Sequence, residues 1–152
     1  MSLGLGLLAD APPTSGYAVK AAATMVNGQT IFTVTGGPIL ILGLVSLCVT
    51  ANGATASTLQ YSITPTTGAG AQTISAASGS LANAAAGASV SLLGTALSTA
   101  ANLNANGPNL GMTAPIFCPD GTITMVIGVG STTGTWQHHL YYLALGPGVL
   151  VS

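Results

Sequence analysis

Pro38 to Val49 reads PILILGLVSLCV, and the placement of this run decides the fold. A helix needs ~20 apolar residues to cross a bilayer, and the run is shorter than that. Gly36-Gly37 precedes it, Thr50 follows it, and no lysine or arginine flanks it as a membrane span would require. A buried β-strand accounts for it. Alternation puts Ile39, Ile41, Val45, Leu47 and Val49 on one face, and Leu40, Leu42, Leu44 and Cys48 on the other. Both faces are apolar, so both need cover. One packs inside a sandwich. The other, with Leu40, Leu42 and Leu44, is left for a loop, an N-terminal arm or a partner subunit, which makes those three leucines candidate interface residues.

Further strands lie to either side. Ile31-Phe32-Thr33-Val34-Thr35 is β-branched and aromatic, a composition that suits a half-buried pleated surface. Leu59, Tyr61 and Ile63 alternate with polar residues, and Gln72 to Ala77 reads as a further strand after the turn residues of 65–70. Over 79–111 the pattern is ambiguous. Ala88, Val90 and Leu92 fit a strand face, while Val90, Leu93, Leu97 and Ala101 fit a helical stripe. A short strand followed by an irregular loop is the favoured reading.

The C-terminal third is clearer. Pro119-Asp120-Gly121 is a turn, in which proline presets φ and glycine accepts a positive φ. Ile123, Met125, Ile127 and Val129 then share one strand face, and TWQHHLYYLAL forms a last long strand from Thr135. On that strand Trp136 and Tyr142 share a face and are read as core, which leaves Tyr141 on the other face as an interface candidate. About eight short strands, with turn signals between them and little helix, predict an all-β fold, a jelly-roll-like two-sheet β-sandwich.

Residues 1–28 read as an extended N-terminal arm, broken by Pro12-Pro13, Ser15-Gly16 and Asn27-Gly28, with the β-sandwich domain spanning 29–152. The arm is apolar and needs a surface to lie on, its own domain or a neighbouring subunit. Tyr17 is its interface candidate. The N-terminus has no positively charged region of the kind a secretory signal carries.

Composition narrows the function. Charged residues make up 2% of the 152 residues and hydrophobic residues 49%, and mean hydropathy is +0.68. The charges are Asp10, Lys20 and Asp120. A chain this apolar is not intrinsically disordered. One lysine cannot supply a basic footprint on nucleic acid, so no direct nucleic-acid contact is expected. No membrane span is expected either. A net charge near zero favours association, and neutral β-prone windows such as ILILGLVSL are hazardous on a free monomer. A subunit held permanently in an assembly avoids that hazard.

Catalytic groups are scarce. There is no glutamate, no G-x-S-x-G elbow and no phosphate-binding loop. Asp120 belongs to a turn. His138 and His139 are neighbours on a strand and point to opposite faces, so one chain cannot clamp a metal between them. One is expected beneath the sheet and the other exposed. Cys48 and Cys118 sit in apolar runs and are read as buried free thiols. The expectation is a protein that is not an enzyme and takes no cofactor or metal. A small hydrolase using a histidine and a self-assembling secreted β fibre are the more distant alternatives.

The run QTIFTVTGGPILILGLVSLCVT (29–50) and the run PIFCPDGTITMVIGVGSTTGTWQHHLYYLAL (115–145) resemble the small head decoration, or cement, proteins of tailed bacteriophages. The shared pattern opens with strand, Gly-Gly-Pro and apolar strand. It closes on Pro119, Gly121, Thr122, Ile123, Thr133, Gly134, Trp136, Leu140, Tyr142 and Leu145. It covers about a third of the chain, and residues 51–111 depart from it. The resemblance implies a virion protein on the outer surface of the capsid, a dimer or trimer bridging neighbouring major capsid proteins. It carries no catalytic residues. The competing expectation is a tail, fibre or host-recognition module, with Trp136 and the tyrosines as a carbohydrate platform.

Overall fold

The computed structural model describes residues 14–68, 70–129 and 131–152. These form two antiparallel sheets packed face to face. Sheet A contains β1 (Thr14–Thr24), β3 (Ile39–Cys48), β6 (Ser89–Ser91), β7 (Asn102–Asn104), β8 (Ile116–Cys118) and β10 (Thr135–Ala144). Sheet B contains β2 (Thr30–Thr35), β4 (Thr58–Pro65), β5 (Gln72–Thr73), β9 (Gly121–Gly128) and β11 (Leu150–Val151). The strand order is β1-β10-β3-β6-β7 in sheet A and β11-β2-β9-β4-β5 in sheet B. The apolar run of β3 is the middle of sheet A. It pairs with β10 along one side, and with β6 and β8 at its two ends along the other.

Between the sheets lies one core, with Phe32, Ile39, Ile41, Leu44, Leu59, Tyr61, Ile123, Met125, Trp136 and Leu140 all almost wholly buried. The turn into β9 depends on its glycine. Gly121 sits at φ +152°, and a Cβ there would stand 2.2 Å from the Thr64 carbonyl oxygen on β4. Loops at one end are tied by Asn52. Its Oδ1 accepts the backbone N–H groups of Thr133 and Gly134 at 3.1 and 2.8 Å, and its Nδ2 donates to the Leu81 carbonyl at 2.9 Å.

The described residues form eleven strands where about eight were expected, because β1 fell in the expected arm and the short β7 and β11 leave almost no periodic signal. The strand read over 72–77 forms only as Gln72–Thr73. In the ambiguous middle, β6 forms where the strand reading put it and the helical stripe does not. The expected arm divides at Thr14. Residues 1–13 lie outside the described residues. Thr14–Thr24 is a strand of sheet A, paired with β10 from Thr14↔Ala144 to Thr24↔Thr135. Its sequence shows no clean period because it packs on little: most of β1 is exposed.

The faces of β3 differ from strict alternation. Tyr141 pairs with Gly43 and Tyr142 with Ile41, so Leu42 has no partner on β10. This bulge inserts one residue and reverses the alternation beyond it. Ile39, Ile41, Leu44, Ser46 and Cys48 therefore face the core, while Leu40, Leu42, Val45 and Leu47 face outward. Leu44 does not share a face with Leu40 and Leu42, as alternation had placed it. It is fully buried. Cys48 and Cys118 are both buried and unbridged.

Candidate interface

The outer face of sheet A brings together four of the five interface candidates. Tyr17 on β1 lies directly across from Tyr141 on β10, and Tyr141 lies across from Gly43. The two tyrosine rings are tilted 35° to each other with centroids 4.7 Å apart. Both are about half exposed. Leu42 stands out at the bulge. Leu40 is half-buried and lies across from Phe117 on β8. Phe117 is 58% exposed, the largest single aromatic exposure on the face, and alternation of the short PIFC run alone did not single it out. Val19 extends the apolar strip along β1.

His139 sits behind Tyr17. Its Nδ1 is 2.6 Å from the Tyr17 hydroxyl, and the rings stack at 6.0 Å. Partial desolvation, and then the neighbouring Tyr141 hydroxyl, push the Tyr17 phenol above its usual pKa, so it stays a neutral hydroxyl across the physiological range. Gly16 completes the packing on the reverse side of β1. A Cβ there would be 2.2 Å from Tyr142 Cζ, so only glycine lets that ring lie against the strand.

His138 takes the opposite face and is buried. Its Nδ1 is 2.6 Å from Ser46 Oγ, and Ser46 Oγ is 2.9 Å from the Tyr61 hydroxyl. Tyr61 in turn donates to the Val90 carbonyl at 3.1 Å. Tyr61 has one proton, and with that proton on Val90 the chain runs in one direction. His138 Nδ1–H donates to Ser46, Ser46 donates to Tyr61, and Tyr61 donates to Val90. The network joins β10 and β3 of sheet A to β4 of sheet B through the core. Burial, then His139 and Lys20, lower the His138 pKa to about 4. The pairing of serine with histidine is that of a nucleophile and base, but Ser46 has no exposed surface for a substrate to reach.

Trp136 is wholly buried in the core, so it adds nothing to an exposed aromatic platform. Among the described residues, no three of the His, Cys, Asp and Glu side chains are grouped to hold a metal ion. No described helix is long and apolar enough to cross a membrane. The Asn102, Asn104 and Asn109 side chains surround a surface cavity of about 290 Å³. Their amides bond to one another and to the backbones of Ser89, Asn102 and Pro108, and so serve to hold the 104–110 loop.

No family model matches this chain, and neither does any curated protein or solved structure.

Proposed function

We propose that this protein is a non-enzymatic virion subunit, a decoration or cement protein on the outer surface of a phage head that bridges major capsid proteins. One observation carries the reading. Tyr17, Leu42, Phe117 and Tyr141 stand exposed together on one face of sheet A, in a chain with 2% charged residues. Isolated exposed apolar residues are ordinary, whereas a contiguous apolar face marks an interaction site. Neutral apolar faces of this kind suit permanent association. Bound across a capsomer seam, the face adds buried area that opposes internal pressure without covalent chemistry, cofactor, nucleic-acid contact or membrane.

A jelly-roll-like sandwich is the finer fold reading that goes with it. In its support, β1, β2, β3 and β4 alternate between sheets A and B, and β8, β9, β10 and β11 do so again. The resemblance of 29–50 and 115–145 to phage head decoration proteins supports the same reading.

The test is to add purified protein to undecorated heads of the phage that encodes it and image them. A regular lattice of added density that survives moderate salt is expected, because few charges are available to be screened. Release at moderate salt with the protein still folded would overturn the mechanism. The second reading, a tail or host-recognition module, has the Tyr17–Tyr141 ring pair in its favour, since exposed aromatic faces also stack on sugars. A glycan array bound at those two tyrosines, with no density on heads, would favour it.

A further inference from the structure

The two full charges among the described residues lie on opposite edges of one sheet. Lys20 is exposed on β1, the first strand of sheet A, and Asp120 follows β8 on the far side of β3. Strands β10 and β3 separate the two within one molecule. Asp120 lines an open cavity of about 320 Å³ together with Pro38, Thr66, Thr67, Phe117 and Pro119. Two prolines and an aromatic ring give this cavity apolar walls, and it holds a single carboxylate. That combination suits a lysine, whose methylene stem lies along apolar surface while its ammonium meets an anion. The chain contains one lysine, and it stands on a strand whose outer edge pairs with no other strand among the described residues.

We propose that Lys20 of one copy enters the Asp120 cavity of a second copy, joining molecules head to tail along the two edges of sheet A. The two sites are opposite in charge, and they differ from each other. Two β1 edges meeting about a twofold axis would instead bring both lysines into one contact. A head-to-tail contact closes into a ring of three or more copies, or runs on as a filament when the rotation does not close. A ring of this kind needs at least three copies, so a twofold dimer is not expected. This assembly is a property of the free protein and does not depend on binding to a shell. Its failure and the failure of shell binding are therefore separate results.

The experiment is light scattering of the full chain over a dilution series, with circular dichroism on every variant. The native protein is expected as a discrete species of three or more copies. Lys20→Glu and Asp120→Lys are each expected to raise the midpoint dissociation concentration by about tenfold or more, since each puts like charges in the contact. The double swap Lys20→Asp with Asp120→Lys is expected to restore assembly. Should Asp120→Lys lose the fold, Asp120→Asn is read in its place, with the same direction of shift expected. Asp10→Asn, outside the described residues, is expected to leave assembly unchanged. A native monomer or twofold dimer, a double swap that does not restore assembly, or dissociation by Asp10→Asn would overturn the proposal.

Discussion

Ser46 Oγ lies 2.6 Å from His138 Nδ1 in the middle of the core, where the two residues are cross-strand partners on β3 and β10. Through Tyr61 this contact reaches the opposite sheet, so a polar chain crosses the space between the sheets. Buried polar groups cost stability unless every member is bonded. Here the direction of the chain leaves each oxygen with a partner.

Stability is expected to fall on acidification because of His138. Its pKa is lowered from 6.5 in the unfolded chain to about 4 in the fold. Above pH 6.5 both states are neutral and the group contributes no pH dependence. As the pH falls from 6.5 towards 4 the unfolded chain takes up a proton that the folded one refuses, and stability declines by about 3 kcal/mol in total. Urea unfolding from pH 7.5 to pH 4 measures this, and His138→Gln is expected to flatten the profile. An unchanged midpoint in the native protein would contradict it.

Tyr61→Phe removes the hydroxyl that links the sheets, takes one hydrogen bond from the Val90 carbonyl and leaves the Ser46 proton without its acceptor. A loss of about 1–3 kcal/mol is expected in denaturant unfolding. Ser46→Ala in the Tyr61→Phe background is expected to cost less than it does alone, because the two act in one chain.

Asn52→Ala releases three loops at once. It breaks the bonds to Thr133, Gly134 and Leu81 in a buried site. A loss of about 3 kcal/mol is expected. Hydrogen exchange of the Thr133 and Gly134 amides is expected to quicken before global unfolding.

Leu42 and Leu44, two residues apart, are expected to separate cleanly. Leu44→Ala opens a cavity in the core and is expected to cost about 2–5 kcal/mol in denaturant unfolding. Leu42→Ser is expected to change stability by about 0.5 kcal/mol or less and, with Tyr141→Ser, to lower attachment to heads by about tenfold or more. Equal stability losses at the two positions would contradict the bulge at Gly43.

Much of the fold was legible because the signals are local. The apolar run of β3, the Pro119-Asp120-Gly121 turn and the alternation of Trp136, His138 and Leu140 each declare a strand or a turn from a few neighbouring residues. The burial of one histidine and the outward placement of its neighbour follow from the same alternation. Leu44 was not placed correctly because a single inserted residue reverses every side chain beyond it. The glycine at 43 is the sequence's one mark of that bulge. Phe117 and β1 were missed for a related reason: a three-residue strand and a strand that packs on little carry almost no periodicity.

The chain by itself determined an all-β protein with almost no charge and few groups for chemistry, because composition and period-two patterning are properties of local sequence. Only the tertiary structure decided which face is core and which is exposed. That depends on a bulge and on cross-strand register, which bring Tyr17 to Tyr141 and Leu40 to Phe117 across long stretches of chain. It also decided that Ser46, Tyr61 and His138 meet, and that Lys20 and Asp120 stand on opposite edges of one sheet. Those relations arise from pairing between distant strands, which local propensity does not encode.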